Sequence, residues 1–150
     1  MKTIIAGSRT ITNPITVEDA IRLSKIDITE VVSGGCYGVD AIGEDWARYN
    51  NIPIKLFRAD WNTHGKAAGP IRNLAMAEYA EALIAVWDGV SRGTKNMIRE
   101  ARKQGLKVYI HNIRHDPELE QVVAKFYDNL QQNQVEPDLN AGTIDLWKLY

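Results

Sequence analysis

A single cysteine, Cys36, stands among 150 residues. It excludes an internal disulfide and points to a reducing compartment, so a cytoplasmic protein is expected. Three scattered histidines and that one cysteine do not make a zinc set, and no metal is expected. No apolar run approaches the roughly 20 residues of a membrane span. The opening Met1-Lys2-Thr3-Ile4-Ile5-Ala6-Gly7 is interrupted too soon for a signal peptide. A formal net charge of −1 gives no general basic field of the kind that marks a nucleic-acid binder. Both standard nucleotide fingerprints are missing. After the first apolar run the chain reads Gly7-Ser8-Arg9-Thr10, not GxGxxG. Between Gly89 and Lys95 the threonine precedes the lysine at the wrong spacing for a P-loop. This argues against a P-loop NTPase and an ordinary NAD dehydrogenase. Internal repeats and low-complexity tracts are absent too.

What remains is an ordinary globular composition, 45% hydrophobic and 25% charged, in a chain of one-domain length. Short apolar runs alternate with amphipathic ones five times. Strands are predicted over residues 2–6, 28–32, 52–57, 82–87 and 107–110. Helices are predicted over 14–25, 39–49, 71–79 and 94–104, with Asn13-Pro14 opening the first and Gly105 closing the fourth. Val39, Ile42, Trp46 and Tyr49 share a face of the second helix, and Ile71, Leu74, Ala75 and Tyr79 are placed inward on the third. Residues 60–69 read as a polar loop. The strands do not alternate in polarity, as expected when helices cover both faces of a parallel sheet. The fold class is therefore α/β: a Rossmann-like, doubly wound, mainly parallel five-stranded sheet over residues 1–112. Residues 113–150 form a C-terminal extension, with an amphipathic helix over 117–130 carrying Leu119, Val122, Val123, Phe126 and Leu130 on one stripe. Charge divides the same way, positive in the first part and negative in the second.

In such sheets ligands bind at the carboxyl ends of the strands, near the reversal of strand order. The residues following the strands should therefore converge: Gly7-Ser8-Arg9, Ser33-Gly34-Gly35, Asp60-Trp61, and Asp88 through Thr94. The run Val31-Val32-Ser33-Gly34-Gly35-Cys36-Tyr37-Gly38-Val39-Asp40 is a strand, a glycine turn and a helix start in sequence, a setting in which backbone amides and the helix dipole favour an anion. Gly93-Thr94 opens a second such terminus. Arg72-Asn73, after Gly69-Pro70, is placed at a third helix start with its amides outward. Arg9, Lys66, Arg72, Arg92 and Lys95 lie in these loops, and Arg suits bidentate phosphate contact. Trp61 is read either as a base-stacking ring or as a lid on the core, and Asp40 either as a partner of a ribose hydroxyl or as a helix cap. Trp46 and Trp87 read as core. His64 reads as a loop residue. Cys36 has no histidine in a partner relation, and Ser33 lies outside a GxSxG elbow, so no catalytic residue is assigned.

The segments Val32 through Asp40, Ala59-Asp60-Trp61, Ala68-Gly69-Pro70-Ile71-Arg72-Asn73 and Gly93-Thr94 resemble the SLOG superfamily of Rossmann-like proteins. That group includes the Smf/DprA DNA-processing proteins and the LOG phosphoribohydrolases. The resemblance is nearest to its small YspA/YpsA-related branch of bacteria and phages, and it covers about residues 1–112. It implies a Rossmann-like fold, a nucleotide-derived ligand and a homo-oligomer. LOG enzymes carry a glutamate three residues after the Gly-Thr threonine. Met97 stands there in this chain, with Glu100 one turn later.

The expected function is binding of a nucleotide or ADP-ribose-like small molecule, as a sensor or a sequestering protein, with no cofactor required. Phosphate falls to Gly34, Gly35, Cys36, Gly93 and Thr94, with Arg9, Lys66 and Arg72 neutralising it. Asp40, Asp60, Trp61 and Asn73 fall to sugar and base. Gly7, Ser8, Ser33, Gly38 and Gly69 complete the expected ligand-binding set. The alternatives are a nucleotide N-glycosidase using Glu100 or Asp60, and a nucleic-acid or protein adaptor. Nucleic acid is the less favoured partner.

Overall fold

Ile4 and Ile5 point to opposite faces of the sheet, yet both are fully buried. The same holds for Val31 and Val32 and for Leu83 and Ile84. Successive side chains on a strand alternate between faces, so apolar residues at every position require cover on both sides. A computed structural model describes residues 1–113 and, beyond them, only the isolated helical positions Lys125 and Asn129. The expected helix over 117–130 and the C-terminal extension lie outside the described residues.

The elements are β1 (Lys2–Gly7), α1 (Pro14–Ser24), β2 (Glu30–Ser33), α2 (Val39–Tyr49), β3 (Ile54–Leu56), α3 (Trp61–His64), a 3₁₀ turn (Gly65–Ala67), α4 (Ala68–Tyr79), β4 (Ala82–Trp87), α5 (Arg92–Lys103) and β5 (Lys107–Asn112). All five strands are parallel, in the order β3-β2-β1-β4-β5. The chain steps outward from β1 to β3 and then returns to lay β4 against the other side of β1. The order therefore reverses between β1 and β4, where Gly7 pairs with Val86. One face buries Ile5, Val31, Ile84 and Val86 with Val17 and Ala20 of α1 and Val39 and Ala47 of α2. The other buries Ile4, Val32, Leu83 and Ala85 with Met76 and Ala77 of α4 and Met97, Ile98 and Ala101 of α5.

Local chemistry explains the boundaries. The Asn13 side chain accepts the Ile15 N–H at 3.0 Å, and Pro14 occupies the first helical position, where no amide is needed. Gly105, at φ 76°, closes α5 by donating its N–H to the Arg102 carbonyl. Trp46 and Trp87 pack half-buried against the two cores, as expected of core residues.

Four expectations are corrected. Residues 61–67 are helical rather than loop, because Asp60 accepts the Thr63 N–H at 3.1 Å and starts α3. Gly69 and Pro70 lie within the first turn of α4, where proline costs no hydrogen bond, so Arg72 and Asn73 sit inside that helix and not at its start. The buried face of α4 is Ala68, Gly69, Asn73, Met76 and Ala77, while Ile71 and Leu74 are exposed. Tyr49 is 89% exposed rather than part of the α2 face.

Glycines mark the closest approaches. A Cβ at Gly7 would lie 2.1 Å from the Val86 carbonyl oxygen and 2.7 Å from Val39 Cγ2. A Cβ at Gly43 would lie 2.8 Å from Ile5 Cγ2, so α2 rests directly on β1. Gly7→Ala is expected to lose about 3 kcal/mol in urea unfolding, the upper end of ordinary overpacking. Gly93→Ala, in open space on α5, is expected to gain about 0.5 kcal/mol. Equal effects from the two would contradict this packing.

Candidate functional site

A cleft of about 390 Å³ opens where the strand order reverses. Its walls are the end of β1 with the following loop (Ala6, Gly7, Ser8, Arg9, Thr10), Cys36 and Asp40 from the β2–α2 turn and α2, Arg72, Asn73 and Met76 from α4, and Asp88, Val90, Ser91, Gly93, Thr94 and Met97 from β4–α5. Of the residues expected from sequence, nine meet here: Gly7, Ser8, Arg9, Cys36, Asp40, Arg72, Asn73, Gly93 and Thr94. Ser33, Gly34, Gly35 and Gly38 shape the turn behind them. Asp60, Trp61, Lys66 and Gly69 do not line the cleft. Asp60 caps α3, Lys66 is exposed, and Trp61, 51% exposed, comes within 3.4 Å of a Cβ placed on Gly69. Arg92 and Lys95 are exposed and also outside the lining. Glu100 lies outside it too, beside Lys103 at 3.8 Å and Arg99 at 3.9 Å.

The floor is a continuous hydrogen-bonded line. Arg72 donates from Nη1 to the Gly34 carbonyl at 2.7 Å and from Nε to Asn73 Oδ1 at 3.0 Å. Asn73, 6% exposed, donates from Nδ2 to Asn96 Oδ1 at 2.9 Å and to the Gly93 carbonyl at 3.3 Å. Two neighbouring residues of α4 thus tie the β2–α2 turn to the first turn of α5. The Cys36 sulfur lies 3.8 Å from Arg72 Nη1 and 3.9 Å from Arg9 Nη2.

The turn itself is largely self-satisfied. The Gly35 N–H donates to Ser33 Oγ at 3.2 Å and the Cys36 N–H to Asp40 Oδ2 at 3.3 Å. Gly38, at φ 76°, abuts the carbonyls of Ser8 and Arg9, which would stand 2.7 and 2.6 Å from a Cβ there. Asp40 is 5% exposed. Burial pushes its carboxyl up to about 6, against the opposing pull of the Cys36 N–H and the Arg72 guanidinium.

Across the cleft, Asp88 accepts the N–H groups of Val90 and Ser91, both at 2.8 Å, and these hold its carboxyl below the usual range. Ser91 caps α5, accepting from the Thr94 hydroxyl at 3.2 Å and, more loosely, from its N–H at 3.5 Å. The amides of Arg92 and Gly93, the first two positions of α5, have no backbone acceptor among the described residues. Asp88, Val90 and Ser91 belong to the stretch from Asp88 through Thr94 that was expected to converge here, although none of the three was assigned to the ligand. The signals for Asp88 and Ser91 were an Asp-Gly pair closing a strand and a serine just before a helical run. Thr10, Met76 and Met97 carried no such signal.

Among the described residues no helix is long and apolar enough to cross a membrane, and no group of three or more His, Cys, Asp or Glu gathers as a metal set.

A model of the YspA, cpYpsA-related SLOG family matches residues 1–64. The Gene 61 protein of Mycobacterium phage D29 is 38% identical over 117 residues, covering 71% of this chain and 93% of that protein. The X-ray structure of DNA processing protein A (DprA) from Streptococcus pneumoniae superposes with a TM-score of 0.60 at 16% identity. That match covers 90% of this chain and 57% of the DprA chain, so the protein spans little more than half of that neighbour's length. The likeness to DprA is one of fold, a parallel five-stranded Rossmann-like sheet with helices.

Asp40 gives a test of the site's electrostatics. Burial raises its carboxyl from the ordinary value of 3.8 to about 6. A raised carboxyl favours the protonated form in the fold, so its contribution is fully present below pH 4 and is lost as pH rises through 6. Asp40→Asn keeps an oxygen for the Cys36 N–H. It is expected to be more stable than the native chain at pH 7 by up to about 3 kcal/mol. The advantage should shrink toward zero near pH 4 in denaturant titrations. An advantage independent of pH would show that Asp40 is not held against its own charge.

Proposed function

The chain belongs to the YspA, cpYpsA-related SLOG family, and from that membership, which supports a nucleotide- or nucleic-acid-related role, we propose that it binds a nucleotide-derived small molecule in the cleft beside β1. One observation carries the reading. The free amide end of α5 and the guanidinium groups of Arg9 and Arg72 face a single cleft at the reversal of strand order. The Gly93 amide and the α5 dipole receive a phosphate, and Arg9 and Arg72 balance its charge. Ser8, Asn73 and Thr94 supply polar contacts to the sugar or base, and Met76 and Met97 give apolar wall. The ligand is a nucleotide or an ADP-ribose-like molecule, held by a sensor or sequestering protein.

Calorimetry of the full chain against nucleotides, ADP-ribose, NAD, dinucleotides and a single-stranded oligonucleotide tests this. At least one small ligand is expected to bind, recovered intact by chromatography. Arg72→Ala should weaken it by roughly tenfold to a hundredfold, the range of a lost charged hydrogen bond. Gly93→Asp, which places a carboxylate at the α5 terminus without steric conflict, should weaken it at least about tenfold through like-charge repulsion. Recovery of free base would replace the reading with an N-glycosidase. Steeply salt-dependent binding of the oligonucleotide alone would replace it with a nucleic-acid binder.

A further inference from the structure

Four charged side chains line the cleft, and they cancel: Arg9 and Arg72 against Asp40 and Asp88. The two carboxylates are not equivalent. Asp88 is turned into its own loop, where the Val90 and Ser91 amides satisfy it. Asp40 is buried at the α2 end, where an anion entering the β2–α2 turn would have to lie. Its Oδ2 already takes the Cys36 N–H. Ser33 takes the Gly35 N–H. The carbonyls of Ser8 and Arg9 press on Gly38 at the start of the helix. A phosphate brought to this turn would find both of these amides taken, and would meet a buried carboxylate and two carbonyl oxygens. The α5 end presents the opposite surface, with amides lacking acceptors.

The two helix termini therefore differ in what they accept, although both follow a strand and both are glycine-rich. We infer that Asp40 is a specificity residue that limits the cleft to ligands with one phosphate and turns the α2 end toward an uncharged, hydroxyl-bearing group. The inference rests on the nucleotide reading above and narrows it to the nucleoside-monophosphate class. A hydroxyl donating to Asp40 stabilises the carboxylate where a second phosphate would repel it, and that repulsion is strong at a carboxylate this buried. Arg72 does not offset it fully, because its one positive charge is already set against the Asp40 carboxylate and the first phosphate.

The test is a comparison of affinities for the 5′-mono-, di- and triphosphates of adenosine, guanosine, cytidine and uridine, on the full native chain and on Asp40→Asn. For the base that binds, the native chain is expected to hold the monophosphate about tenfold more tightly than the triphosphate, the scale of one like-charge conflict. Asp40→Asn, of nearly the same shape, should bring the two within about threefold, mainly by gaining affinity for the triphosphate. A native chain that binds the triphosphate as tightly as the monophosphate overturns the inference while leaving the nucleotide reading intact, and this arm stands even if the variant does not fold. A preference unchanged in Asp40→Asn overturns it as well. Failure of every nucleotide to bind the folded native chain removes both.

Discussion

The ending of β1 at Gly7 is the constraint on which the cleft depends. No side chain fits there, because the Val86 carbonyl and Val39 already occupy the space. This contact sets β4 and the first turn of α2 at the distances from β1 that the structure shows. The same packing continues at Gly43, which rests on Ile5, and at Gly38, which rests on the carbonyls of Ser8 and Arg9. Three glycines thus let α2 approach β1 at backbone distance. The cleft is what remains between the close-packed α2 side and the α5 side.

Arg72 and Asn73 turn that space into a site. Placed one and a quarter turns into α4 rather than at its start, they reach the Gly34 carbonyl on one side and the Gly93 carbonyl on the other. Neighbouring residues on a helix project in different directions, and here each of the two meets a different loop. The line they form fixes the β2–α2 turn and the α5 terminus relative to each other, so a ligand that touches both meets a prearranged surface. Asp40 works against the fold in the same place. A carboxyl raised to about 6 by burial is a carboxylate held at neutral pH at a cost in stability. Such local conflicts concentrate where a protein recognises something else.

Strand count, direction and placement were legible because the three central strands are apolar runs with cover on both sides, and a run without alternation has few other readings. Strand 4 was read to the residue. The stretch from Asp60 to Pro70 was not, since glycine and proline read as breakers wherever they fall. In the structure Asp60 caps a short helix and Pro70 sits in a first turn, where neither residue breaks anything. The α4 face was misread for another reason. The apolar stripe of Ile71 and Leu74 suggested one face, but close packing on the sheet selects the small Ala68, Gly69 and Ala77 over those larger side chains.

From sequence alone came the fold class, the family resemblance and the gathering of Gly7, Arg9, Asp40, Arg72 and Thr94 at the strand ends, because short-range patterns and the topology of a doubly wound sheet carry that information. Which loop residues face the cleft was decided only in three dimensions. Asp60, Trp61 and Lys66 share the composition of the others but follow β3, the edge strand, two positions from the reversal. The roles of the glycine turns were decided there as well. A glycine turn before a helix looks like an anion seat in any sequence, and only the positions of Ser33 Oγ and Asp40 Oδ2 reveal that its amides at Gly35 and Cys36 are already taken.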